Sequence, residues 1–224
     1  MAVSLNKVTL KKKGDSHKIS LVKQAKSKAF SPDDMIVINL NWSQSTVPTK
    51  RSGFWGAILD AFSPIPTLDL DLGALVELKD GVKMAIQPLG DSFGSLQTSP
   101  FIEHSGDDRT GGNDSGETIR IKVSNWKHLK RICVYTYIYE GAPDWATAKG
   151  IVEVKIPNQP TLVVEMGEHT DPARLCAICM LENQHDDIVV TKLVSFHDGK
   201  KTGTWQNDLD VAYNWGMNWY RASK

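Results

Sequence analysis

The sequence predicts an all-β protein: an antiparallel β-sandwich with a short helical insert and a short C-terminal helix or turn. Three observations carry this reading. Short segments in which apolar and polar residues alternate recur along the chain, and Gly, Pro, Asn and Asp separate them at turn spacing. The segments are rich in Val, Ile, Thr and Tyr, whose branched or aromatic side chains suit a pleated, half-buried surface. With 224 residues, 41% of them apolar, the chain can also fill a large core. The reading is one domain over residues 1–224, with an apolar insert at about 44–66.

In chain order the expected strands are Val3–Leu10, Ser16–Lys23, Met35–Trp42, Leu68–Leu78, Thr118–Val123, Arg131–Tyr139, Gly150–Ile156, Thr161–Met166, Leu175–Glu182 and Ile188–Phe196. The fourth opens Leu-Asp-Leu-Asp-Leu. Its period of two puts Asp69 and Asp71 on one face and the leucines on the other. In the sixth, Tyr135, Tyr137 and Tyr139 share one face and Val134, Thr136 and Ile138 the other, so both faces are partly covered, as in the middle of a sheet. Between the third and fourth strands, Gln44–Pro66 carries Phe54, Trp55, Ile58, Leu59 and Phe62 at helical spacing. Gly56, Pro64 and Pro66 limit that helix to two or three turns. It either caps an open end of the core or docks on a partner, a membrane surface or a second copy through Phe54, Trp55 and Phe62. In the tail, Asp208 is placed to cap a short helix running through Asn214. Trp215-Gly-Met-Asn-Trp-Tyr-Arg then reads as a terminal strand.

Charge and composition exclude several classes. Lys and Arg number 26, as do Asp and Glu, so no bulk field favours nucleic acid. The lysines at 11–13, 18, 23, 26 and 28 read as a solvated edge. The N-terminus lacks the apolar core of a secretory signal. No run approaches the roughly 20 apolar residues of a membrane span. An odd count of three cysteines argues against a disulfide framework and for a reducing compartment, the cytoplasm.

The chemistry concentrates in His104-Ser-Gly-Asp-Asp-Arg-Thr-Gly-Gly-Asn-Asp-Ser-Gly-Glu117, with four acidic residues and four glycines. Glycines let carbonyls turn inward and carboxylates are hard oxygen ligands, which together suit Ca²⁺. Asp69 and Asp71, if set against this loop, would repel it unless a cation lay between. An EF-hand does not fit, because the order of ligands is wrong and no helices flank the loop. The alternative for the loop is an acidic, solvated turn. His104 beside it is placed to act as a base or a ligand. The Cys176-Ala-Ile-Cys179 spacing lies in a strand-like run, where i and i+3 face opposite ways, so two sulfurs would not share an ion. No nucleophile elbow, P-loop or dinucleotide fingerprint occurs.

Taken together, Val3-Ser-Leu-Asn-Lys, Asn41-Trp42, Asp69-Leu-Asp71, the loop from His104 and its acidic turn to Glu117 resemble the TerD-domain family of bacterial tellurium-resistance and stress-response proteins. Tyr137-Ile-Tyr-Glu-Gly-Ala-Pro-Asp144, Cys176-Ala-Ile-Cys179 and the Trp215–Lys224 tail resemble its TerA-type branch. The resemblance implies a β-sandwich that binds Ca²⁺ through Asp69, Asp71, Asp107, Asp108, Asp114 and Glu117. It further implies a non-enzymatic, cytoplasmic role in resistance to tellurite and other stresses, with other tellurium-resistance-type proteins or a membrane-associated complex as partners. Asp108 stands where the family usually has Asn, and Ser43 where it usually has Asp, which weakens one cation position. The rivals are a metal-dependent hydrolase using the same carboxylates with His104, and a scaffold whose metal loop is vestigial.

Overall fold

In the computed structural model, residues 7–21, 29–42, 68–106, 116–142, 144–148, 150–166 and 169–219 are described. Their strands are β1 (Val8–Leu10), β2 (Ser16–Ile19), β3 (Met35–Asn41), β4 (Asp69–Leu78), β5 (Lys83–Ile86), β6 (Gly94–Ser95), β7 (Ile102–His104), β8 (Glu117–Lys122), β9 (Leu129–Glu140), β10 (Ile151–Lys155), β11 (Leu162–Glu165), β12 (Leu175–Gln184) and β13 (Asp187–His197). Two sheets result. One runs β1-β11-β10-β3-β8-β7-β6 and the other β2-β13-β12-β9-β4-β5. Only β1 and β11 pair in parallel; the other pairs are antiparallel. The all-β sandwich expected from the alternation is the fold observed.

Alternation builds the core between the sheets. Ile36, Ile38 and Leu40 of β3 and Ile119 and Ile121 of β8 meet Leu70, Leu72, Ala74 and Val76 of β4. A slip of one residue in any of these strands would turn its whole apolar set outward, so burial fixes the register. Every residue of β4 is buried, because its other face is covered as well. There Leu75, Cys133, Tyr135, Tyr137, Leu175 and Met180 lie beneath Leu209 and Trp215, with Trp205, Tyr213, Met217 and Trp219 packed around them. Gly73 belongs to this face. A Cβ there would come within 2.4 Å of the Tyr135 ring, so the absence of a side chain makes room for the tyrosine.

The cover is α2 (Trp205–Ala212), preceded in the chain by the single turn α1 (Trp145–Ala148). The tail departs from expectation in two ways. Thr204, not Asp208, caps α2: its hydroxyl accepts from Asn207 N at 3.2 Å. Asp208 sits inside the helix and accepts from the backbone N and hydroxyl of Thr202. After the helix there is no strand over 215–219. Instead the Asp210 carboxylate gathers Gly216 N, Met217 N and Trp219 Nε1 within 3.1 Å. A carboxylate that satisfies the donors of a segment locally removes its need for a neighbouring strand.

A second correction concerns Cys176 and Cys179. The β12 ladder shifts between Ala177 and Cys179, leaving Ile178 as an extra residue against β9. The bulge reverses the alternation, and both cysteines enter the core between the sheets rather than opposite faces. They are buried, and burial pushes the Cys176 thiol up and that of Cys179 to about 12.

Where the chain crosses between sheets, the buried Lys192 of β13 donates to the carbonyls of Leu10, Lys11 and Glu165 at 3.1, 3.2 and 2.9 Å. All three ammonium protons are thereby used, and β13 is tied to the β1–β11 pair. The apolar insert expected at 44–66, with Phe54, Trp55 and Phe62, lies outside the described residues. Its two flanks are held together: Trp42 Nε1 donates to Leu68 O at 3.1 Å.

Candidate functional site

The register brings the sequence-predicted groups to one end of the sandwich. Asn41 lies opposite Ile151, Leu40 opposite Glu117, and Asp69 opposite Glu140. The acidic loop leaves from His104 at the end of β7 and returns to Glu117 at the start of β8. Its base is pinned. Ser105 N donates to Thr118 O at 2.8 Å, and Thr118 N to Ser105 Oγ at 3.0 Å. Gly116 holds φ +50°, and a Cβ there would lie 2.1 Å from Leu40 O. Only glycine lets the returning loop pass this close to β3.

Glu117 was expected on the loop; it is the first residue of β8 and points into the core, fully buried. Its Oε2 accepts from Leu72 N of β4 at 2.6 Å, so the carboxylate bridges the two sheets. His104 Nε2 lies 3.4 Å from the same oxygen, without hydrogen-bond geometry. The imidazole is oriented by Gly106 N, which donates to Nδ1 at 3.0 Å; in a neutral ring the proton is then on Nε2. Nearby, Asn39 Nδ2 donates to Glu117 O at 3.3 Å and Asn41 Nδ2 to Asn39 Oδ1 at 2.5 Å.

Asp71 and Asp69 are also buried. Asp71 lies opposite Tyr137 in the β4–β9 ladder, on the outer face of its sheet. The phenol is buried and its hydroxyl makes no regular hydrogen bond. Burial first, and then the adjacent Asp71 carboxylate, push the Tyr137 pKa far above its ordinary value, with a smaller push from Glu117. The phenol is therefore neutral beside two carboxylates.

Of the six predicted cation ligands, Asp69, Asp71 and Glu117 thus gather at one end with His104, while Asp107, Asp108 and Asp114 lie outside the described residues. Among the described residues no three acidic, imidazole or thiol groups alone form a group suited to a metal ion. The donor chemistry, carboxylates and amide oxygens, is that of a hard cation. Two buried polar atoms without regular partners, Tyr137 Oη and His104 Nε2, sit against these carboxylates. Tyr137 and the Leu72 amide escape a sequence reading, because only the register reveals what faces Asp71 and Glu117. Among the described residues, no helix is long and apolar enough to cross a membrane.

No family model matches the chain. Over 222 residues, 99% of its length, the chain is 37% identical to the tellurium resistance protein TerA of an Alcaligenes species, and it spans 60% of that protein. In structure it is similar to SAV2460, a protein of unknown function, with a TM-score of 0.51 at 12% identity over 75% of this chain and 92% of that one. That likeness is one of fold. A homologue of the telluride resistance protein TerD, SCO6318 from Streptomyces coelicolor A3(2), overlays with a TM-score of 0.49 at 16% identity, over 74% of this chain and 90% of that one. By its 37% identity over 99% of its length, the chain is similar in sequence to that TerA protein, as its loop and tail motifs lead one to expect.

Proposed function

We propose that the chain is a Ca²⁺-binding, non-enzymatic protein of a cytoplasmic stress response that includes resistance to tellurite. The observation that carries this reading is the burial of Asp71 and Glu117 at the end of the sandwich where the acidic loop is pinned. Asp69, Asp71 and Glu117 would hold the ion from the strands, and Asp107, Asp108 and Asp114 from the loop. A bound ion would supply positive charge to carboxylates that otherwise oppose one another. Oxygen donors on a glycine-rich loop suit Ca²⁺, which accepts roughly six to eight ligands in flexible geometry, better than Mg²⁺ with its tight octahedron. The likeness to TerA supports the tellurite-resistance role; partners among other tellurium-resistance proteins or a membrane-associated complex belong to the same proposal.

A thermal melt titrated with each ion tests the proposal. Ca²⁺ is expected to stabilise the fold by about 2.7 kcal/mol at a hundredfold excess over its Kd, and Mg²⁺ by much less. An unchanged Tm at millimolar Ca²⁺ would reduce the loop to a solvated acidic turn. Metal-dependent turnover of an ester or phosphoester by the purified protein would favour the hydrolase instead.

A further inference from the structure

We propose that the cavity between Lys192 and the ends of β1 and β11 binds a small phosphate ester. The inference is independent of the Ca²⁺ reading. The cavity has a volume of about 390 Å³, and every residue that lines it is described. Its buried cation is Lys192, 8% exposed. The backbone of Lys192 is fixed from both directions: Gly14 N donates to Lys192 O and Lys192 N to Asp15 O, both at 2.9 Å. The side chain then reaches the ends of β1 and β11, where the carbonyls of Leu10, Lys11 and Glu165 take its three protons.

Carbonyl dipoles solvate an ammonium but leave its charge in place. Among the described residues no carboxylate lies within ion-pair distance of Lys192 Nζ. A buried charge without an opposite charge is costly, and an anion in the cavity would offset that cost. Asp15 lies in the field of Lys192, but its carboxylate accepts from the backbone amides of Lys11 and Lys12 at 3.0 and 2.8 Å. Glu165 is the one acidic residue of the lining; its side chain is exposed, and it meets Lys192 through its backbone carbonyl.

Because the protons of Lys192 are spent on carbonyls, it acts through its field, and other groups must donate to the ligand. Lys11 and His169 can do so. Both are exposed residues of the lining, and among the described residues neither the ammonium nor the imidazole has a hydrogen-bond partner. His169 is held by its carbonyl, which accepts from Ala146 N at 2.8 Å, and by its ring, 5.0 Å from that of Phe196. Thr9 adds a hydroxyl. Two ammonium groups with an imidazole and a hydroxyl suit an anion with more than one charge and several acceptor oxygens, a phosphate rather than a carboxylate. Buried Leu10 and Met166 supply an apolar wall. The volume falls in the range of small-molecule sites, roughly 300–1,000 Å³, so a short organic body fits beside the phosphate.

The test is calorimetric titration of the full chain, in metal-free buffer, with glycerol 3-phosphate, inorganic phosphate and acetate, beside a thermal melt. Glycerol 3-phosphate is expected to bind at a single site and to raise the Tm, inorganic phosphate to bind more weakly, and acetate not to bind. Lys11→Gln and His169→Gln leave Lys192 and its three carbonyls in place, so both variants should fold. Each should weaken glycerol 3-phosphate about tenfold. In amide NMR of the wild-type chain, the ester should shift Thr9, Leu10, Lys11, Met166 and Lys192. No heat and no rise in Tm at millimolar glycerol 3-phosphate overturns the site. Unchanged affinity in both variants, or amide shifts confined to other parts of the sandwich, overturns its location. Acetate or inorganic phosphate binding as tightly as the ester overturns the ligand class. Co-sedimentation with phosphatidic acid vesicles, without uptake of the soluble ester, also overturns the proposal, because the phosphate is then met on a membrane surface and not in the cavity.

Discussion

Strand β4 carries a buried carboxylate near each end of its outer face, and the two are treated differently. Glu77 is clamped by Lys130 at 2.8 Å and Arg131 at 2.5 Å. Arg131 also stacks over Trp215, 3.9 Å from the ring centre, and ties down the tail. Asp71, six residues earlier, faces the neutral phenol of Tyr137, which also feels the charge of the buried Glu117. Glu77 is neutralised by protein cations and serves packing. Asp71 stands with other acids at the base of an acidic loop, an arrangement that stability alone does not explain. The contrast separates a structural carboxylate from a candidate ligand on one strand.

The largest effect should come from the clamped end. Arg131→Met removes the ion pair, the contact with Trp215 and two carbonyl caps, leaving Glu77 with one cation. The expected loss is about 3 kcal/mol in urea unfolding, with the Ca²⁺-induced gain in stability unchanged. A smaller effect is expected at the other end, and it should depend on the ion. Asp71→Asn keeps an oxygen but removes a charge, so the roughly 2.7 kcal/mol of Ca²⁺-linked stabilisation should largely vanish from the melt. Glu77→Gln should keep it. Equal loss in both variants would erase the distinction drawn here.

Cys179→Ser places a hydroxyl in the core between the sheets and should cost about 2 kcal/mol, again without touching Ca²⁺ affinity. Reduced Ca²⁺ binding in a folded Cys179→Ser protein would mean that the cysteine pair belongs to the site. The smallest effect is one of pH. Burial alone would raise the Glu77 pKa, but the hydrogen bonds and charges of Lys130 and Arg131 outweigh it and hold the carboxyl below its usual range. The stability this provides is fully present above the unfolded pKa, about 4.3, and is lost as the pH falls through the lower folded value. Urea unfolding at stepped pH should therefore show the difference between wild type and Glu77→Gln shrinking below about pH 4.3. A constant difference would show that the clamp does not titrate.

Much of the sandwich was legible because burial imposes a period of two. Each of the ten expected strands has a counterpart within the described residues, and the Tyr135–Tyr137 face lies where alternation put it. The strands not foreseen, β5, β6 and β7, are short. Lys-Met-Ala-Ile, Gly-Ser and Ile-Glu-His offer too few residues for a period to register. The cysteine faces were misread because a bulge depends on the partner strand and leaves no mark in its own sequence. The expected terminal strand failed because Asp210 supplies from its side chain what a neighbouring strand would supply from its backbone. At the candidate site the acid types were legible. Their partners were not, since Tyr137 and Leu72 N meet them only through register.

The hydrogen bond from Trp42 to Leu68 has a consequence for how such chains diversify. It brings the exit from β3 and the entry to β4 together whatever joins them. Closing a longer connection between fixed ends costs only about 0.6 kcal/mol per doubling of its length. The sandwich therefore offers a cassette position, where a short turn or a long apolar segment can be exchanged with little penalty to the sheets. Grafting a foreign hairpin or tag between these two residues should leave the scaffold folded. In this architecture an exchanged segment would enter at the doorstep of the acidic end.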